Sequence, residues 1–93
     1  MNAFSLTVST PDGSLFRGDA AGLYLRGACG DLAILAGHAP FMTPVKAGIC
    51  KIVLPSGEEK KGRTEGGMLC VAAEGVTLLS GTFRFVEGDE TEG

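Results

Sequence analysis

Apolar and polar residues alternate with a period of two in short runs along this 93-residue chain, which is the pattern of half-buried strands and not of helices. Phe4, Leu6 and Val8 alternate with Ser5, Thr7 and Ser9. Leu23 and Leu25 alternate with Tyr24 and Arg26, and Asp31 to Leu35 forms a short apolar run. Ile49 to Leu54 reads as a strand closed by Pro55-Ser56-Gly57, with Glu59 to Thr64 returning as its polar partner. Met68 to Ala73 and Val76 to Ser80 read as a second hairpin about Glu74-Gly75, and Phe83 with Phe85 marks a last strand. Thr10-Pro11-Asp12-Gly13 presets a turn, the proline fixing φ and the glycine accepting a positive one.

Glycine supplies 15 of the residues, and the longest stretch free of both Gly and Pro is Met1 to Thr10. Helices tolerate neither residue well inside and average about 11–12 residues, so no substantial helix fits. The reading is all-β: a small β-sandwich of about ten short, mostly antiparallel strands. Residues 1–86 form the domain, and 87–93 are expected to be an acidic, solvated tail. Phe4, Leu6, Val8, Leu23, Leu25, Ile34, Ile52, Leu54, Leu69, Val71, Val76 and Leu78 are expected to face a shared interior.

Composition narrows the function. Eight Lys plus Arg against eleven Asp plus Glu give a net charge of −3, which disfavours nucleic acid or an anionic lipid surface as the main partner. Lys60-Lys61-x-Arg63 is the one basic cluster in the sequence, flanked by Glu58, Glu59 and Glu65. No apolar run approaches the roughly 18 residues of a membrane helix, and Met1-Asn2-Ala3-Phe4 begins no visible secretory signal. Direct membrane insertion is therefore not expected. Cys29, Cys50 and Cys70 are odd in number and unpaired in spacing, so free buried thiols in a reducing compartment are expected in place of a disulfide frame or a zinc site.

Candidate chemistry is sparse. No two glycines stand two apart and no Gly-Lys-Ser/Thr occurs, so neither familiar phosphate loop is present. His38 is the single histidine, and nothing near it in sequence supplies a nucleophile with an orienting third group. Asp12, Asp19 and Asp31 read as loop acids, not as a facing carboxylate pair. No catalytic residue, metal site or cofactor is assigned.

The stretch Gly30 to Gly48, Gly-Asp-Leu-Ala-Ile-Leu-Ala-Gly-His-Ala-Pro-Phe-Met-Thr-Pro-Val-Lys-Ala-Gly, reads by itself as a strand, a glycine turn, an exposed loop stiffened by Pro40 and Pro44, and a further strand. It resembles the epsilon subunit of F-type ATP synthases (delta in mitochondrial naming), whose pattern runs from an acidic-Leu-Gly-Ile segment into Pro-Gly-His-Ala-Pro-Leu-Leu-Thr. Val8-Ser9-Thr10-Pro11-Asp12-Gly13, with Phe16 and Gly18 after it, is similar to the family's opening hairpin. Gly66-Gly67-Met68-Leu69-Cys70-Val71 and Val76-Thr77-Leu78-Leu79-Ser80 resemble two later family strands. The likeness runs in order from about Leu6 to Ser80. Ala36, Pro44, Ala47 and Glu65 depart from the pattern.

The resemblance implies a non-catalytic rotor subunit of the central stalk, a β-sandwich that couples the gamma subunit to the membrane c ring during ion-driven ATP synthesis. It implies contact with the c ring at Gly30, Asp31 and Leu32, and with gamma at Thr10, His38 and Thr43. It also implies a peripheral position on the cytoplasmic face of a bacterial membrane. Family members usually continue into two C-terminal helices. Glu87 to Gly93, with four acids and two glycines, is expected to supply no such inhibitory or ATP-binding arm. The competing reading is a free-standing small-ligand-binding β module or a thiol-dependent enzyme.

Overall fold

Ten strands run in chain order through residues 3–86, the part of the chain that the computed structural model describes. They are β1 (Phe4–Thr10), β2 (Gly13–Ala20), β3 (Gly22–Gly27), β4 (Gly30–Leu35), β5 (Phe41–Val45), β6 (Gly48–Val53), β7 (Glu59–Thr64), β8 (Gly67–Ala72), β9 (Gly75–Ser80) and β10 (Phe83–Val86). Hydrogen bonding joins them in the order β10-β7-β6-β3-β5-β8-β9-β1-β2, with β4 on β3. The path folds into two five-stranded layers, β2-β1-β9-β8-β5 and β10-β7-β6-β3-β4. They join at a corner where β3, after pairing β6 through Gly22 to Tyr24, meets β5 at Gly27↔Val45. Every pairing is antiparallel except β1 with β9.

The alternation in the sequence fixes the core between the layers. Leu6, Val8, Leu23, Leu25, Ile34, Ile52, Leu69, Val71, Val76 and Leu78 are all buried, as expected, while Phe4 and Leu54 pack half-buried at its margin. Ala20, Val45, Cys50 and Phe83 join them. Two glycines make room for close approaches. A Cβ at Gly62 would overlap the Phe83 ring, so the bare β7 backbone is the floor on which Phe83 lies. At Gly67 a Cβ would collide with the Leu79 carbonyl oxygen, so only glycine lets β8 lie against β9 there.

Two connections cross between the layers side by side, Glu65-Gly66 from β7 to β8 and Gly81-Thr82 from β9 to β10. A buried polar cluster ties them. The hydroxyls of Thr64 and Ser80 lie 2.6 Å apart, and the Gly66 N–H donates to Thr64 Oγ1 at 3.0 Å. The Ser80 hydroxyl lies within reach of the Gly66 and Thr82 carbonyls, and the Gly81 N–H donates to the Gly66 carbonyl at 3.3 Å. Among the described residues no buried side-chain polar atom lacks a partner.

Two strands differ from the expectation. The proline-stiffened loop is in fact strand β5, pairing β8 from Phe41↔Val71 to Val45↔Gly67. Pro44 holds a ladder position because an antiparallel pair needs only every second N–H, so a nitrogen turned away from the partner leaves no bond unmade. Strand β2 lacks a clear apolar alternation because it is an edge strand, exposed along most of its length. The expected tail, 87–93, lies outside the described residues.

Leu78→Ala, at a fully buried site in the shared interior, should lower unfolding free energy by about 2–5 kcal/mol. Thr64→Val keeps the shape but removes the acceptor for the Gly66 N–H, and should cost about 1–3 kcal/mol in urea denaturation. Burial pushes the Cys50 thiol from 9.0 up to about 12. The folded chain thus holds a proton that the unfolded chain releases. Stability from this group is complete below about pH 9 and drains away as pH rises toward about 12. The alkaline fall in the urea midpoint should therefore be shallower in Cys50→Ala than in the parent.

Candidate interaction surfaces

The β3–β4 hairpin turns through Ala28 and Cys29, and Gly30 takes the strained place at φ 134°, where no other residue type is at ease. The turn sets the roles of the next two residues. Leu32 leans inward against the core, and a Cβ on Gly27 would meet its Cδ1 at 2.7 Å, so the glycine admits it. Asp31 points outward with its side chain 89% exposed. It lies across from Arg26 in the ladder, with carboxylate and guanidinium 3.7 Å apart. An ion pair so exposed contributes little to folding, which leaves its charge available to a partner.

Thr10, His38 and Thr43 are not gathered at one point. The Thr10 hydroxyl holds the first turn, accepting from the Asp12 N–H at 3.2 Å and donating to the Gly13 carbonyl at 3.4 Å. The register Gly27↔Val45↔Gly67↔Ser80, with Ser9 beside Leu79, brings this turn to the same end of the sandwich as the β3–β4 hairpin. His38 sits at the other end. It is exposed, its ring 5.8 Å from that of Phe41, and it lines a groove of about 500 Å³ with Phe4, Ser5, Leu35 and Glu74. Thr43 lies midway along β5, half-buried, opposite Leu69, with its hydroxyl donating to the Pro44 carbonyl at 3.3 Å. The strand length of β9 separates the Thr10 end from the His38 end, about 17–20 Å at ~3.3 Å per residue.

One surface has no counterpart in the sequence reading. On the outer face of the β2-β1-β9-β8-β5 layer, Pro44, Met68 and Leu79 form one cross-strand row, with Met42 beside it. Met42 is 67% exposed and Leu79 49%. A signal for it exists: these are apolar residues at the outward phase of strands whose inward phase is already apolar. At Met42 and Pro44 it is hidden, because the flanking prolines make β5 look like a loop.

The thiols are free and dispersed, but of the three expected to be buried only Cys50 is. Cys29 is exposed at the hairpin tip, Cys50 is buried on β6, and Cys70 is half-buried on β8. At about 12, Cys50 holds its proton at neutral pH, and a protonated thiol is a poor nucleophile. Among the described residues no group of three or more His, Cys, Asp or Glu side chains could hold a metal ion. No helix among them is long and apolar enough to cross a membrane.

The fold has counterparts of known structure. A chain in the cryo-EM structure of the Euglena gracilis mitochondrial ATP synthase (OSCP/F1/c-ring) superposes with a TM-score of 0.84 at 20% identity, over 89% of this chain and 53% of that one. A chain in the Tetrahymena thermophila mitochondrial ATP synthase structure (central stalk/c-ring) gives 0.73 at 17% identity, over 86% of this chain and 64% of that one. This chain thus spans between half and two thirds of the length of those it matches, and at such identities the likeness is one of fold. The sequence itself matches the family model for the ATP synthase delta/epsilon chain, beta-sandwich domain, over residues 3–86. With nearly the whole chain covered, the protein belongs to the ATP synthase delta/epsilon β-sandwich family.

Proposed function

We propose that the chain serves as a non-catalytic subunit of the rotating central stalk of an F-type ATP synthase, joining the gamma subunit to the c ring during ion-driven ATP synthesis. The family match over residues 3–86 carries this reading. The fold suits such a role, because a connector that passes torque needs stiffness and two separate docking regions. Ladders of hydrogen bonds across ten strands supply the first, and the two layers supply the second, since the hairpin belongs to one while Thr10 and Thr43 belong to the other.

In this reading the β3–β4 hairpin meets the c ring through Gly30, Asp31 and Leu32. Leu32 is anchored in the core and Gly30 sets the turn, so Asp31 is offered on a backbone that does not have to be ordered on binding. Gamma is met along the other layer, at Thr10, Thr43 and His38. The Met42, Pro44, Met68 and Leu79 surface adjoins the Thr10 end and would add apolar contact. The complex would hold the chain peripherally, on the cytoplasmic face of the membrane in a bacterium.

Asp31→Lys should weaken attachment to the c ring without unfolding the domain, since its present ion pair is exposed. The loss should be larger at low salt, because rim charges act chiefly on association rate. Co-sedimentation of the chain with purified c ring across a salt series reads this out, and unchanged binding at low salt would remove Asp31 from the contact. His38→Trp should reduce capture by gamma while the thermal unfolding midpoint stays within a few degrees. A variant that unfolds instead would mean that His38 serves the fold.

A further inference from the structure

The outer face of the β10-β7-β6-β3-β4 layer concentrates positive charge in an acidic chain. Strand alternation turns Cys50, Ile52, Gly62, Thr64 and Phe83 inward, and so turns Arg26, Lys51, Lys61, Arg63 and Arg84 outward. These are five of the eight cations in a chain of net charge −3. The ladder places Lys51 directly across from Lys61, and Arg63 directly across from Arg84. Like charges facing each other across strands destabilise a sheet, so this arrangement costs folding free energy. No carboxylate among the described residues lies within ion-pair distance of Lys61.

The acids of this face stand at its rim. Asp31 pairs with Arg26, Glu59 lies 3.9 Å from Lys51, and Glu65 lies 2.9 Å from Arg63. Between them Lys51 spans Tyr24 at 5.1 Å from the ring centre, and Ile49 lies opposite Arg63. The result is a cationic strip that crosses four strands, β3, β6, β7 and β10, floored by Tyr24 and Ile49 and bordered by carboxylates. A broad anionic plane, such as a lipid surface, would press against exposed Asp31, Glu59 and Glu65 as well as the cations. A narrow ligand would not.

We propose that this strip docks an acidic polypeptide segment of a partner protein, in extended form. Lys61 and Arg63 are two residues apart on one strand, about 6.6 Å, which is also the separation of carboxylates at alternate positions of an extended peptide. Docking brings a carboxylate to Lys61 and relieves its repulsion with Lys51, so the cost held there in the free domain becomes part of the binding free energy. The inference does not depend on the rotor reading. It concerns a face that bears none of the residues assigned to gamma, and of the c-ring residues only Asp31, at its rim.

The test is a titration of the isotope-labelled 93-residue chain with a synthetic peptide carrying glutamate at alternate positions and serine between, followed by NMR. Saturable shifts should centre on Tyr24, Lys51, Lys61 and Arg63, and weaken as added salt shortens the screening length. Lys61→Gln and Lys51→Gln should each weaken binding by about tenfold, roughly the scale of one lost charge contact. Each should also leave the denaturation midpoint unchanged or raise it, which a merely structural lysine would not do. Arg17→Gln, on β2 in the other layer, should change neither quantity. The absence of saturable binding at low salt, or undiminished binding by the two lysine variants, would overturn the proposal. So would capture by phosphatidylglycerol vesicles without capture of the peptide. If removing residues 87–93 moves the same signals with no peptide present, the occupant is the chain's own acidic segment and the proposal also fails.

Discussion

The two layers depend on the place where the chain crosses between them and, later, crosses back alongside. Glu65-Gly66 and Gly81-Thr82 run side by side between the layers, and the hydroxyls of Thr64 and Ser80 at their feet sit where water has been excluded. Buried amide and hydroxyl groups without partners would each cost about 1–3 kcal/mol. Here Thr64 and Ser80 satisfy one another and the connecting backbone. The contact also links residues sixteen apart in sequence, fixing the phase of β7 against that of β9. A slip of one residue in β9 would turn Val76 and Leu78 to solvent, and one in β7 would turn Lys61 and Arg63 toward the core. Gly67 belongs to the same constraint, because β8 can start beside β9 only where no Cβ meets the Leu79 carbonyl.

How much of this is legible in the sequence follows from what period-two reading can see. Strands with one face buried, such as β1, β3, β6, β8 and β9, declare themselves because inward and outward residues differ in kind. Strand β2 is an edge with most of both faces exposed, so its residues carry no contrast. Strand β5 carries two signals in conflict, a proline at Pro44 and an apolar residue, Met42, at an outward position. The loop expectation follows from the first. Phe83 reads as strand, yet its burial depends on Gly62, twenty-one positions earlier, which no local window joins to it. The Thr64–Ser80 contact is invisible for the same reason, since a threonine ending a polar strand and a serine ending an apolar one look like surface.

The surfaces are legible unevenly as well. Asp31 stands out only through the family pattern, and the structure adds why it is displayed: Leu32 and Gly30 on either side are committed to core and turn. Lys60-Lys61-x-Arg63 reads as a local cluster flanked by acids. Folding divides that cluster, sending Lys60 to the side of Phe85 and Lys61 with Arg63 to the outer face beside Lys51, Arg26 and Arg84. Charge that looks balanced along the chain is thus sorted in space. A net charge says little about which face a partner meets when strands from distant parts of the sequence lie about 4.8 Å apart.

A strand with one face buried leaves the other free, and this has a consequence for recognition. In a helical domain, altering a contact residue often disturbs a neighbour one turn away that helps form the core. In this sandwich, successive side chains on a strand point to opposite faces, so Lys61 and Gly62, or Met42 and Thr43, belong to different surfaces although they adjoin in sequence. Inward residues are held by the need to fill the space between the layers. Outward ones are constrained only by cross-strand neighbours, at a scale of about 0.2–1 kcal/mol per pair. Three outer regions of this small domain accordingly carry three chemistries: an apolar surface at Met42 and Leu79, a cationic strip about Lys61, and an acidic hairpin tip at Asp31. Each can change its chemistry without changing the core, so a domain of this build can vary several outer surfaces and stay folded.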